Sequence, residues 1–310
     1  MLESLPMEEV IQVEGLVKRF GSVTAVDGVS FAVRKGEIFG LIGPNGAGKT
    51  TTLEIIEGLQ RPSQGRVKVL GLDVGGEAAQ VKERIGVQLQ ASAYFDYLTL
   101  KEILELFGSF YRRRVSAGEL LEQVDLADRA DTVLKKLSGG QKQRFTVAAS
   151  LVNDPELIIL DEPTTGLDPA ARRSLWNLIR QIHGQGKTIV LTTHYMDEAE
   201  SLCHRVAIMD QGKVLALDTV PRLVRLLEKA YRVVLETSGP LDLPGEAWGL
   251  EDGDYGQGGS VTLTVKEPAQ VLARVMEEAE RQGVTIEHLS VTPATLEDVF
   301  LELTGHHLLD

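Results

Sequence analysis

Cysteine is almost absent from this 310-residue chain. Its single copy, Cys203, rules out an intrachain disulfide framework and fits a reducing compartment. Basic stripes are missing as well. No Lys/Arg-rich stripe runs along the chain, which removes the electrostatic footprint of a nucleic-acid-binding protein, so no nucleic-acid partner is expected. Apolar runs are short: the one at 157–160 falls far below the roughly 18 residues that span a bilayer, and any membrane role has to come from a partner. The opening MLESLPMEEVIQV is acidic and has neither the positive start nor the long apolar stretch of a secretion signal, so the chain is expected to stay inside the cell. Internal repeats and low-complexity tracts are also lacking.

What is plentiful is apolar and acidic. Hydrophobic residues make up 43% of the chain, enough to pack one domain of about 200 residues and a smaller second one. The formal charge of −13 is concentrated at one end, because residues 231–310 hold 15 Asp/Glu against 4 Lys/Arg. That run reads as a solvated face rather than a docking site.

Up to about residue 220 the sequence alternates strand-like and helix-like segments. EIFGLIG (37–43), LIIL (157–160) and TIVLTT (188–193) are short apolar, β-branched-rich runs that predict buried strands. Between the last two, Leu175, Leu178, Ile179 and Ile182 recur at helical spacing, and Gly184-Gln185-Gly186 ends the helix. This strand-helix-strand unit predicts parallel strands with a right-handed crossover. Ligands of such sheets sit beyond the carboxyl ends of the strands, where Gly43, Asp161 and His194 fall. Residues 92–136 predict an inserted helical lobe, with amphipathic helices in LTLKEILELFGSFYRRR and SAGELLEQVDLADRA. Beyond 230, YRVVLE, VTLTV and VTIEHLS read as strands, PAQVLARVMEEAERQG as a helix and 239–259 as a loop, which together predict a small α+β appendage.

GPNGAGKT (43–50) matches the phosphate-binding pattern G-x-x-x-x-G-K-[ST] and lies between a predicted strand and a predicted helix, as that pattern requires. Gly43, Gly46 and Gly48 let backbone amides turn inward on phosphate oxygens, Pro44, Asn45 and Ala47 complete the loop, and the helix that follows directs its positive end at the same anion. Lys49 is placed for the β- and γ-phosphates of a nucleotide, Thr50 for Mg²⁺ and Thr51 for the α-phosphate. LIILDEP sets Asp161 and Glu162 straight after a strand. Beside a phosphate cradle, Asp161 is read as holding Mg²⁺ through water and Glu162 as polarising the attacking water. His194, at the tip of the parallel neighbour, is read as contacting the γ-phosphate. LSGGQKQR (137–144) starts a helix that Ser138 can cap and whose Phe145, Ala148, Ala149 and Val152 form an apolar face.

The phosphate loop, LSGGQKQR, LIILDEP, GLDP (166–169) and His194, in that order, resemble the ATP-binding cassette (ABC) ATPases over roughly residues 10–217. The resemblance implies an α/β P-loop cassette, with a mainly parallel sheet core, an antiparallel β subdomain and a helical subdomain at about 92–150. It places the ATPase domain at 10–220 and a C-terminal accessory α+β domain at 221–310. It further implies that Ser138, Gly139, Gly140 and Gln141 of one subunit close over the nucleotide of another, which points to a homodimer. Asp168 matches the loop that communicates between the two sites, and Phe20 the aromatic that stacks on adenine, with simple core packing as its alternative. Gln88 and Gln90 both offer a glutamine for Mg²⁺, and family spacing favours Gln90. Tyr94 and Phe95 would face a transmembrane partner.

TLEDVFLELTG (295–305) resembles the C-terminal motif of ATPases that serve bacterial drug-resistance and ABC-2-type exporters. As a helix it is expected to bury Leu296, Val299, Phe300 and Leu303. His306 and His307 are read as a frayed end rather than a metal site. The implied function is ATP hydrolysis that drives drug- or lipid-like export through ABC-2-type permease subunits, at the cytoplasmic face of the membrane. Two alternatives are a non-transport ABC switch acting on ribosomes or nucleic acid, and an ATP sensor without turnover. The first lacks a second cassette, basic linker or coiled coil here, and the second has no need of both Glu162 and His194.

Overall fold

The computed structural model of the protein describes residues 8–88, 95, 97–227, 231–243, 254–256 and 260–305. The chain divides into two compact units, the first ending at Val220 and the second beginning at Pro221.

The first unit is built on two sheets. Strands β1 (Glu9–Phe20), β2 (Val23–Arg34), β4 (Gln64–Val69) and β5 (Leu72–Asp73) form an antiparallel sheet in the order β2-β1-β4-β5. The other sheet holds β3 (Ile38–Ile42), β6 (Ile85–Gln88), β7 (Leu157–Asp161), β8 (Thr188–Thr193), β9 (Arg205–Asp210) and β10 (Lys213–Asp218), in the order β10-β9-β3-β8-β7-β6. Its pairs are parallel except β9 with the edge strand β10. Every residue of β3, β7 and β8 is buried, as parallel strands covered on both faces must be. Side chains alternate between the two covers. Phe39, Leu41 and Ile159 face the antiparallel sheet, where Phe31 stacks on Phe39 at 5.4 Å. Ile38, Leu160 and Leu191 face a second core on the other side.

Helix α1 (Lys49–Ile56) follows β3, and α2 (Val74–Arg84) leads into β6. The second core is roofed by α3 (Leu100–Gly108), α4 (Ala117–Gln123), α5 (Gly139–Ala149) and α6 (Pro169–Gly184). The lobe is less helical than LTLKEILELFGSFYRRR and SAGELLEQVDLADRA suggest: α3 stops at Gly108 and α4 at Gln123, with two 3₁₀ turns at Ala127–Arg129 and Leu134–Lys136. Thr99 and Ser116 open α3 and α4 with reciprocal capping boxes. α6 crosses from β7 to its parallel neighbour β8, with its apolar stripe Leu175, Leu178, Ile179 and Ile182 buried. α7 (Met196–Leu202) follows β8.

The second unit, entered through the short α8 (Val220–Val224), is an antiparallel sheet of β11 (Tyr231–Thr237), β12 (Asp254–Gly256), β13 (Ser260–Val265) and β14 (Ile286–Pro293), in the order β12-β13-β11-β14. α9 (Pro268–Gln282) packs Val275 and Ala279 into the core formed with Val233, Leu235 and Leu263. Two expectations are corrected here. The span 239–259 is not all loop, since β12 lies within it and pairs with β13. In the last helix, α10 (Leu296–Thr304), Leu296, Val299 and Phe300 are buried but Leu303 is 40% exposed, so the cover ends before the final turn. His306 and His307 lie outside the described residues. Among the described residues no helix is long and apolar enough to cross a membrane.

Candidate functional site

Three strand ends meet along one edge. β3, β8 and β7 are neighbours in that order, so Gly43, His194 and the Asp161-Glu162 pair emerge side by side. Gly43 adopts φ 151°, and a Cβ there would fall 2.0 Å from the Met209 carbonyl oxygen; one at Gly48, φ 96°, would fall 2.4 Å from that of Ala25. Both positions require glycine. Around Gly46 the space is open, with nothing within 4 Å of a Cβ. Among the described residues, the amides of Gly46, Gly48, Lys49, Thr50 and Thr51 donate to no acceptor in the chain. Free amides at a helix start, beside an ammonium, are what a phosphate needs, so the loop fits a nucleotide's phosphates.

The Lys49 Nζ donates to the carbonyls of Gly43 (2.7 Å) and Pro44 (2.9 Å) and lies 3.9 Å from Glu162 Oε1. Burial pushes its pKa down, against the pull of Glu162 and Asp161. Asp161 sits at the end of β7, where burial raises its pKa and hydrogen bonds from Thr192 and Thr50 oppose the rise. Thr50 Oγ1 donates to Asp161 Oδ2 at 3.2 Å. A hydroxyl and a carboxylate converging beside a phosphate loop are hard oxygen donors that fit Mg²⁺.

Glu162 is 8% exposed and has φ 48°, left-handed backbone that a side chain adopts only when held there. Its Oε2 accepts from Thr165 Oγ1 at 3.0 Å, and its Oε1 lies 3.3 Å from His194 Nδ1, without hydrogen-bond alignment. The structure therefore gathers Lys49, Thr50, Asp161, Glu162 and His194 into one polar cluster.

Other expected residues lie apart from it. Ser138 caps α5, accepting from Gln141 N at 3.3 Å while Gln141 Oε1 accepts from Ser138 N at 3.0 Å. Among the described residues, no hydrogen bond or ion pair joins Ser138, Gly139, Gly140 or Gln141 to the cluster. Asp168 caps α6 through Ala170 N and Ala171 N, both at 2.9 Å. Phe20 is 47% exposed at the end of β1 with Lys18 Nζ 4.9 Å from its ring centroid, so core packing is not its role. Gln90 and Tyr94 lie outside the described residues; Gln88 is buried and its amide lies 3.5 Å from the Asp161 carbonyl. Phe95 is 54% exposed. Thr165 and Thr192, which hold the two acids, were missed by the sequence reading. The one available signal was the pair of hydroxyls just before His194.

Over 311 residues the chain is 39% identical to the Nod factor export ATP-binding protein I of Ralstonia nicotianae, covering 97% of this chain and 95% of that one. It is 38% identical to the daunorubicin resistance ATP-binding protein DrrA2 of Streptomyces coeruleorubidus, covering 96% and 95%. The chain belongs to the ABC transporter ATP-binding subunits. The ABC transporter family model matches residues 26–165, and that of the DrrA1-3-like C-terminal domain matches 225–304. A dimeric ATP-binding cassette in a post-hydrolysis state, bound to ADP and Pi, is 28% identical and superposes with a TM-score of 0.62 over 67% of this chain and 98% of that one. An ATP-binding subunit of an ABC transporter, 29% identical, gives 0.63 over 70% and 92%. As an ABC subunit the chain binds nucleotide and hydrolyses ATP to drive a transporter with transmembrane components. The alternative of a ribosome- or nucleic-acid-associated switch is not favoured by relatives named for export and drug resistance.

Proposed function

We propose that this ABC subunit powers the export of a drug- or lipid-like compound through ABC-2-type permease subunits at the cytoplasmic face of the membrane. Two identical copies close over two molecules of ATP. The names of the export and drug-resistance relatives support the direction and the substrate class; residues 10–220 are the ATPase domain and residues 221–310 the accessory domain.

The observation that carries the site is the setting of Glu162, between Lys49 and His194 at the end of a buried strand. Lys49 and the free amides of the loop bind the β- and γ-phosphates, and Thr51 the α-phosphate. Thr50, Asp161 and Gln90 would hold Mg²⁺, which supplies charge compensation to the phosphates when bound. Glu162 takes a proton from the attacking water, and His194 orients the terminal phosphate. Phe20 stacks on adenine, and Ser138, Gly139, Gly140 and Gln141 reach the γ-phosphate of the other copy, with Asp168 at the contact between sites. Exposed Phe95 and Tyr97 face the permease.

Glu162→Gln is expected to bind ATP normally, run as a dimer in ATP on size-exclusion chromatography and lose at least ~10²-fold in turnover. Wild-type turnover in that variant removes Glu162 from the base role.

A further inference from the structure

We propose that Thr192 is a positioning residue whose single hydroxyl sets both acids of the ATP-cleaving site; this rests on the roles assigned above to Asp161 and Glu162. The parallel register of β7 and β8 places Thr192 directly beside Asp161, and its side chain is fully buried. A hydroxyl carries one proton. Here that proton goes to Asp161 Oδ1 in a short hydrogen bond, and a lone pair of the same oxygen accepts the Glu162 N–H at 2.9 Å. One oxygen thus anchors the side chain of the first acid and the backbone of the second.

The second anchor matters because of backbone strain. Glu162 is held at φ 48°, and besides the Thr192 bond this turn is closed by Thr165 N donating to the Glu162 carbonyl at 3.3 Å. Valine has the shape of threonine without the hydroxyl. In its place the buried Glu162 N–H would lose its acceptor, and relaxing toward ordinary backbone would swing the carboxylate away from Lys49 and His194. Of the hydroxyl donors on Asp161, Thr50 alone would remain. Groups that orient metal-holding side chains in this way typically affect metal affinity or activity by about 10- to 100-fold when removed.

The test uses the full chain with Thr192→Val and Thr192→Ser. ATP affinity in EDTA should be unchanged in both, which also certifies the fold. In the Val variant, the Mg²⁺ concentration that half-saturates the gain in ATP affinity should rise, and kcat should fall about 10- to 100-fold with little change in KM. Thr192→Ser should restore both quantities. If Thr192→Val does not fold, Thr192→Ala is measured in its place against the same Ser control. Wild-type kcat and Mg²⁺ dependence in the Val or Ala variant overturn the proposal, and so does a Ser variant as impaired as either. These outcomes are distinct from failure of the underlying assignment, which shows as full turnover in Glu162→Gln.

Discussion

At the scale of single residues, the least expected group is Glu57. It caps the C-terminus of α1, is 2% exposed, and its Oε2 has no hydrogen-bond partner among the described residues. Burial pushes its carboxyl from 4.5 up to about 8, with Asp161 and Glu54 adding to the rise and Lys82 opposing it. Between those two values the folded chain keeps a proton that the unfolded chain has released. Stability therefore falls as pH rises through that window, by at most about 1.4 kcal/mol per pH unit, and levels off above about 8. Glutamine stays neutral throughout. Urea midpoints of Glu57→Gln and wild type, measured from about pH 5 to about pH 8, should diverge in favour of the variant. A gap that stays constant across the range refutes the buried titration. Nothing around Glu57 in the sequence marks it, because two of the charges that act on it, Asp161 at the end of β7 and Lys82 in α2, are remote in the chain.

Among elements, what could be read in the sequence follows from what each pattern encodes. β3, β7 and β8 announce themselves because a strand covered on both faces must be apolar throughout, and α6 because its buried stripe repeats at helical spacing. The Ser138 cap was legible for the same local reason. The twelve-residue strands β1 and β2 escaped a reading by pattern: their bulged, shifted register breaks strict alternation. Leu303 had the right spacing, but exposure depends on where the cover stops, and β12 depends on its pairing with β13. Thr192 and Thr165 belong to the site through strand register and a turn, neither of which single-sequence spacing records. Gly86 is a similar case, an ordinary-looking strand glycine in β6. A Cβ there would sit 1.9 Å from the Ser150 carbonyl oxygen and 2.8 Å from Pro155 Cγ, so β6 can lie against the end of α5 only without a side chain. Gly86→Ala is expected to cost about 2–3 kcal/mol in chemical denaturation, since backbone has to move. A loss under about 0.5 kcal/mol shows that the contact yields easily.

At the scale of the whole molecule, the described residues assigned above to the nucleotide fall in separate places. Lys49, Asp161 and Glu162 form one connected cluster, while Ser138, Gly139 and Gln141 open another helix, where Ser138 and Gln141 bond to each other instead. Ser138 and Gly139 are exposed, free to meet a ligand held elsewhere. If each site is shared between two copies, defects in different halves must complement. Ser138→Arg blocks the LSGGQ segment but leaves the phosphate loop intact, and Lys49→Ala does the reverse. Alone, each variant has no complete site. Mixed in equal amounts, half of the dimers are mixed, and in each of these one intact loop faces one intact LSGGQ segment. ATP turnover in the mixture should recover to about a quarter of the wild-type value, well above either parent. Recovery would vanish if sites were built within single chains, and substantial turnover by Ser138→Arg alone would likewise exclude a shared site.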